Sequence, residues 1–355
     1  MHLRNLPARW ILVTLALFTA SCLHAQQPDG SRFERIDTNG DGFISREEDA
    51  AAAAGAARNQ AKGRAPGEAS GVKKISNIDY SGKGNPRQML DLFLPEKREG
   101  EGPLPVIVFI HGGGWQNGDK NGGAGKVAPY VATGRFAGAS IGYRLTNEAQ
   151  WLSQIHDCKA GIRWLRAHAQ EHGLDPERIA VWGTSAGGHL VAMLGVSGDV
   201  RELEGEVGSH LDQSSRVNCV VDFFGPAEML TMGDHPSKID HNAPDSPEGK
   251  LIGGALKEHP ERAKSASPIE HVSAGDAPHL IVHGTEDELV PYPQSTDYEK
   301  RLEAAGVPVT LLTVEGGGHG QGFGKTVDAV VKAYLEKQLL GIGELPADQK
   351  IKAGE

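Results

Sequence analysis

From about residue 75 onward, short apolar runs alternate with longer stretches in which apolar residues recur every three or four positions. Runs of the first kind fall at 74–80, 88–94, 106–110, 136–142, 178–182, 217–223, 279–283 and 308–314, and each is predicted to form a strand. The run 106–110 is apolar at every position, as a strand covered on both faces requires. Between these runs, 151–170 carries Trp151, Ile155, Ile162, Trp164 and Leu165 at helical spacing, and 186–196 and 323–340 also read as helices. Gly341 and Gly343 mark the end of the last one. Strands alternating with helices predict an α/β fold, a mostly parallel sheet with helices on both faces.

One stretch breaks the alternation. Residues 225–270 contain six prolines and many polar residues, with Ser246, Pro247 and Glu248 forming a helix N-cap and first turn. An insertion of this length between two strands predicts a small cap over a site at the strand ends. The rest divides into a leader over 1–25, a short module over 26–50, an Ala/Gly-rich linker over 51–73, a main domain over 74–341 and a tail over 342–355.

The leader has Arg4 and Arg9, an apolar run over 10–20 and the small-residue end Leu23, His24, Ala25. That is the pattern of an export signal, and the run is too short to span a bilayer. The expected location is therefore secreted or periplasmic, with a lipid anchor at Cys22 as the alternative. Past the leader only Cys158 and Cys219 remain, both in apolar contexts that predict buried free thiols. The formal charge of −10 and the absence of a basic block argue against a nucleic-acid partner.

In the 26–50 module the spacing matches a calcium-binding EF-hand loop. Asp37, Asn39 and Asp41 supply side-chain oxygens, Phe43 a carbonyl, Ser45 a water-mediated contact and Glu48 a bidentate carboxylate, with Gly42 at the sharp turn. A small helical EF-hand segment, binding structural Ca2+ that takes no part in catalysis, is thus expected ahead of the main domain.

Catalytic chemistry is concentrated at the ends of four predicted strands. Gly183, Thr184, Ser185, Ala186 and Gly187 lie between a strand and a helix, where a sharp turn lifts a serine hydroxyl above the sheet. His111, Gly112, Gly113, Gly114 and Trp115 follow the 106–110 strand, so the Gly112 and Gly113 N–H groups, with that of Ala186, are candidates for an oxyanion hole. Trp115 is expected as a pocket wall, while His111 and His189 read as packing or polar support. Serine needs a base and an orienting carboxylate, which in this strand order follow it with the acid first. Asp287 is chosen from its neighbours Glu286 and Glu288, and His319 is the histidine with both the chain order and a glycine loop around it.

Taken together, HGGGW (111–115), GTSAGG (183–188), HGTEDELVP (283–291) and GGGHG (316–320) resemble the α/β-hydrolase superfamily over roughly residues 74–340. Within it they resemble the HGGG-type carboxylesterases. Tyr143, Arg144 and Leu145, the Asp157-to-Leu165 pattern and the 244–254 segment are similar to exported bacterial feruloyl and acetylxylan esterases. The resemblance implies an α/β-hydrolase fold, a Ser185–His319–Asp287 triad, Tyr143 as a pocket residue and ester substrates, small or polysaccharide-linked. Thr184 departs from the hormone-sensitive-lipase branch, which has an acidic residue there. Two other readings remain open: a peptidase on the same fold, and a calcium-dependent binding protein whose hydrolase domain is inert.

Overall fold

The structure, a computed structural model, describes residues 70–355, so the export signal, the calcium loop (Asp37, Asn39, Asp41, Phe43, Ser45, Glu48) and Cys22 lie outside the described residues. Its first half runs β1 (Val72–Asp79), β2 (Met89–Pro95), β3 (Leu104–Ile110), α1 (Ala124–Val131), β4 (Ala137–Ile141), α2 (Ser153–Ala167), α3 (Ala169–His172), β5 (Leu174–Thr184) and α4 (Ala186–Val196). The second half runs β6 (Cys219–Phe223), α5 (Pro247–Ile252), α6 (Pro260–Ser265), α7 (Pro268–His271), β7 (His279–Gly284), α8 (Pro293–Ala304), β8 (Val309–Glu315), α9 (Lys325–Leu340) and β9 (Gln349–Lys352). All eight expected strands form. They join one sheet in the order β1-β2-β4-β3-β5-β6-β7-β8-β9, with β2 antiparallel to both its neighbours and every other pairing parallel. This is the α/β-hydrolase fold.

The unbroken apolar run in β3 divides between the two faces. Val106, Val108 and Ile110 enter one core with α2 and α4, while Ile107 and Phe109 enter another with α1 and α9. Register does the rest: Val106 to Ile110 pair with Ala137 to Ile141 on one side and Ile179 to Gly183 on the other. The ends of β3 and β5 are thereby level, which sets the loop after the first beside the turn after the second. Helix α4 is buried along its whole length, which is why its sequence shows no polar face.

The 225–270 insertion is fused to the domain. Met229, Leu251, Ile252, Leu256, Ala263 and Ala266 are fully buried and belong to the same core as β3 and α4. Ser246 Oγ accepts from Gly249 N–H at 2.9 Å, the expected cap, with Pro247 in the first turn of α5. Cys158 and Cys219 are buried and unpaired. No helix among the described residues is long and apolar enough to cross a membrane.

The tail differs from expectation. Within 342–355, β9 extends the sheet by pairing with β8, although its sequence (Gln349, Lys350, Ile351, Lys352) offers one apolar residue, the buried Ile351. The residues after it close on the loop that follows β8. Ala353 N–H donates to the Glu315 carbonyl (2.9 Å), Gly354 N–H to that of Gly322 (2.7 Å), and the Glu355 carbonyl accepts from Thr326 N–H (3.2 Å).

Candidate active site

Ser185 stands between β5 and α4 with φ 56° and ψ −123°, a conformation costly for any residue bearing a Cβ. The turn is held by its own backbone: Ser185 N–H donates to the Phe223 carbonyl at 2.8 Å, and the Ser185 carbonyl accepts from His189 N–H at 2.9 Å. Glycine flanks it for steric reasons, since a Cβ on Gly183 would strike the Gly187 carbonyl and one on Gly187 the Ile110 carbonyl. Ala186 N–H opens α4, where no carbonyl of the preceding turn can satisfy it. The helix N-terminus therefore presents positive potential beside the serine.

On one side lies the loop after β3. A Cβ on Gly112 would sit 2.6 Å from the Thr184 carbonyl oxygen and 3.3 Å from Ser185 Cβ, so the Gly112 backbone touches the nucleophile's turn. Gly113, at φ 109°, accepts through its carbonyl from Gln116 N–H (3.1 Å) and Asn117 N–H (3.0 Å). Buried rings hold this loop from beneath. His111 stacks on Tyr143 with ring centres 4.3 Å apart, and its Nδ1–H donates to the Gly112 carbonyl at 2.8 Å. Tyr143 OH donates to the His111 carbonyl at 2.9 Å. Trp115 Nε1–H donates to His189 Nδ1 (3.2 Å), and His189 Nε2–H donates to the Ala266 carbonyl (2.7 Å). Burial pushes His111 and His189 down to about 4, so both rings are neutral at neutral pH.

This corrects two pocket assignments. Trp115 and Tyr143 are 1% and 0% exposed, and they brace the loop instead of lining a pocket. Trp115 turns inward at φ 57°, where its indole can reach His189.

On the other side of Ser185, the loops after β7 and β8 carry the acid and the base. Of the three adjacent acids, Glu286 and Glu288 are exposed and Asp287 is buried. Asp287 Oδ1 accepts from the backbone N–H groups of Leu289 (2.8 Å) and Val290 (2.9 Å), and Oδ2 accepts from His319 Nδ1–H at 2.7 Å. Burial alone would raise its pKa, but the bonds from His283 and His319 outweigh it and hold the carboxyl well below the usual range. With the proton fixed on Nδ1, Nε2 of His319 is the basic nitrogen. No hydrogen bond joins Ser185 Oγ to His319 among the described residues; in such sites that bond often closes only with substrate in place. Phe224 lies against the His319 ring, centres 4.3 Å apart.

Three side chains around the site, His283, Phe224 and Asp222, were given no role by the sequence. His283, the last side chain of β7, offers Nε2–H to Asp287 Oδ2 (3.2 Å) and to the Val290 carbonyl (3.0 Å), while its Nδ1 accepts from Ser295 Oγ–H (2.6 Å). Its position four residues before the acid was the available signal. Phe224 has φ 45°, in a turn where Asp222 Oδ1 accepts from Gly225 N–H at 2.9 Å. Burial raises the Asp222 carboxyl to about 7. The cap also spans both sides. Ser237 Oγ–H and Lys238 N–H donate to the Glu288 carbonyl (2.9 and 2.7 Å), and a Cβ on Gly114 would lie 3.3 Å from Pro247 Cβ.

In sequence, the BD-FAE family pattern matches residues 90–302, and that of the TAP-like protein family matches 258–350. Esterase LipC of Mycobacterium tuberculosis is 32% identical over 66% of this chain and 57% of its own length. A probable carboxylic ester hydrolase of the same organism, LipM, is 30% identical over 60% of this chain and 48% of its own length, so the chain spans about half of these curated relatives. Among solved structures, a truncated carbohydrate esterase from gut microbiota is 33% identical with a TM-score of 0.66, covering 72% of this chain and 92% of that one. Esterase 2 of Thermogutta terrifontis, phosphonylated by sarin, is 27% identical with a TM-score of 0.58, covering 72% and 88%.

Proposed function

The chain belongs to the BD-FAE family, and from that premise we propose that it is a serine carboxylesterase acting on short-chain or carbohydrate-linked acyl esters. The observation that carries the reading is the placement of Ser185, in a strained turn against Gly112, with the His319–Asp287 pair (2.7 Å) in the loops that follow β8 and β7. A carbohydrate esterase and an esterase phosphonylated by sarin among its structural neighbours support it.

In this reading His319 Nε2 takes the proton of Ser185 Oγ as the oxygen attacks the ester carbonyl. The charge that develops on the carbonyl oxygen is met by the N–H groups of Gly112, Gly113 and Ala186, each worth roughly 3 kcal/mol. His319 returns the proton to the departing alcohol. Water, deprotonated by the same nitrogen, then cleaves the acyl-serine and frees the acid. Asp287 keeps the imidazole in its Nδ1–H form, and His283 with Ser295 keeps Asp287 in place.

We further propose export through the 1–25 leader and structural calcium at Asp37, Asn39, Asp41, Phe43, Ser45 and Glu48. Both rest on the sequence alone. The central test is Ser185→Ala with 4-nitrophenyl acetate. Loss of at least about 10³-fold in kcat, with thermal unfolding unchanged, is expected; full activity would remove Ser185 from the mechanism.

A further inference from the structure

Beside the oxyanion loop opens a cleft of about 550 Å³, between the loop after β3, the segment after β4 and helix α5 of the cap. Its size lies within the range of small-molecule sites, roughly 300–1,000 Å³. Its lining differs from that of most such sites. Gln116, Thr146, Asn147, Gln150 and Lys250 face it with the bare backbone of Gly249, Gly253 and Gly254, and Pro244 is the one apolar residue larger than glycine in its lining. A hydrocarbon chain would leave these amides without partners, at a cost comparable to lost hydrogen bonds. A hydroxyl-rich ring satisfies them and lays its C–H face on the proline.

The amides are also oriented. Lys250 Nζ donates to Gln116 Oε1 at 3.0 Å, and Arg262 Nη2 donates to Gln150 Oε1 at 3.1 Å. Each cation thus occupies an amide carbonyl and leaves the amide N–H2 group to donate elsewhere. Gly253, at φ 88°, lets the Gln150 amide lie flat against the backbone, where a Cβ would approach it to 2.6 Å. The segment that brings Asn147 and Gln150 here is fixed by Arg144, whose Nε and Nη2 both donate to Asp157 at 2.8 Å. Gln116 lies two residues past Gly114, and a Cβ on Gly114 would be 3.6 Å from its Nε2. The cleft is therefore continuous along the chain with the oxyanion loop.

We propose that this cleft is the leaving-group subsite and that it takes a neutral, hydroxyl-rich alcohol, a glycosyl unit, with Gln116, Asn147 and Gln150 as its hydrogen-bonding residues. The inference rests on the esterase reading above and names its alcohol side. A second hollow, about 410 Å³, lies at the opposite ends of β5 and β6. Its Arg166 is taken up by the Pro176, Ser214 and Arg216 carbonyls, and its Arg216 pairs with Asp199.

The test compares acetylated xylobiose with 4-nitrophenyl acetate in the full chain and in Asn147→Ala and Gln116→Met variants. Each variant is expected to lower the ratio of kcat/KM for the sugar ester over the nitrophenyl ester by about tenfold, through KM, as the loss of one or two hydrogen bonds implies. Because the readout is a ratio within one protein, a partly unfolded preparation does not mimic it. An unchanged ratio in both variants overturns the subsite while leaving the esterase reading intact. So does an unaltered chain that cleaves the nitrophenyl ester and no sugar ester. A chain that cleaves neither defeats the esterase reading, and the subsite with it.

Discussion

The loops on the two sides of Ser185 are built by opposite means. The oxyanion side is backbone glycine resting on neutral, buried rings: His111 on Tyr143, and His189 between Trp115 and the Ala266 carbonyl. The acid–base side is a charge network, in which one carboxylate gathers two backbone N–H groups and two imidazoles. The difference follows from the tasks. An oxyanion hole must offer fixed dipoles to a charge that exists only briefly, so its scaffold gains by carrying no charge of its own. The base must gain and lose a proton in every turnover, so a permanent counter-charge has to stand behind it.

Damage on the two sides should therefore differ in kind. The largest effect is expected from Asp287→Asn, which preserves shape and removes the charge that fixes the His319 tautomer; kcat should fall roughly 10⁴-fold. A fall below tenfold would mean that the charge network is dispensable. Gly112→Ala leaves charge untouched and inserts a Cβ 2.6 Å from the Thr184 carbonyl. It should lower kcat about 10²- to 10³-fold with little change in KM. Equal losses in kcat and 1/KM would instead indicate disturbed substrate binding.

Asp222, beneath the turn between the two sides, sharpens the contrast through pH. Burial raises its folded-state pKa to about 7, above the 3.8 of an ordinary aspartate, so the native state holds a proton that the unfolded chain releases. Stability from this group is full below the unfolded value and is lost as pH rises towards 7. Asp222→Asn keeps an acceptor for Gly225 N–H and should stabilise the protein by a few kcal/mol more at pH 8 than at pH 4. A pH-independent difference in urea midpoint would contradict the assignment. The smallest effect is expected from Trp115→Phe, which leaves His189 Nδ1 without its donor. A loss of about 1 kcal/mol in stability, with kcat changed less than threefold, would show that the rings support the loop without entering the chemistry.

Most of the architecture was legible because β3 to β8 are apolar runs separated by helical periods. The serine turn was legible because its glycines answer to nearby carbonyls in a short, local motif. Other parts depend on contacts distant in sequence. Glu286, Asp287 and Glu288 are equivalent as letters and differ by burial and by the direction of a backbone turn. Trp115 beside three glycines reads as a pocket wall until its positive φ turns it towards His189. Strand β9 has a single inward residue and exists because the edge of β8 is open to it. Glu286 and Glu288 aside, the site's charge is paired inward, which no composition count reveals.

The clasp formed by residues 353–355 on the segment after β8 ties strand β9 to the stretch of chain that carries His319. Deleting residues 349–355 would remove the strand and its clasp and take only Ile351 from the two main cores. Activity would then decay ahead of bulk unfolding during storage or digestion.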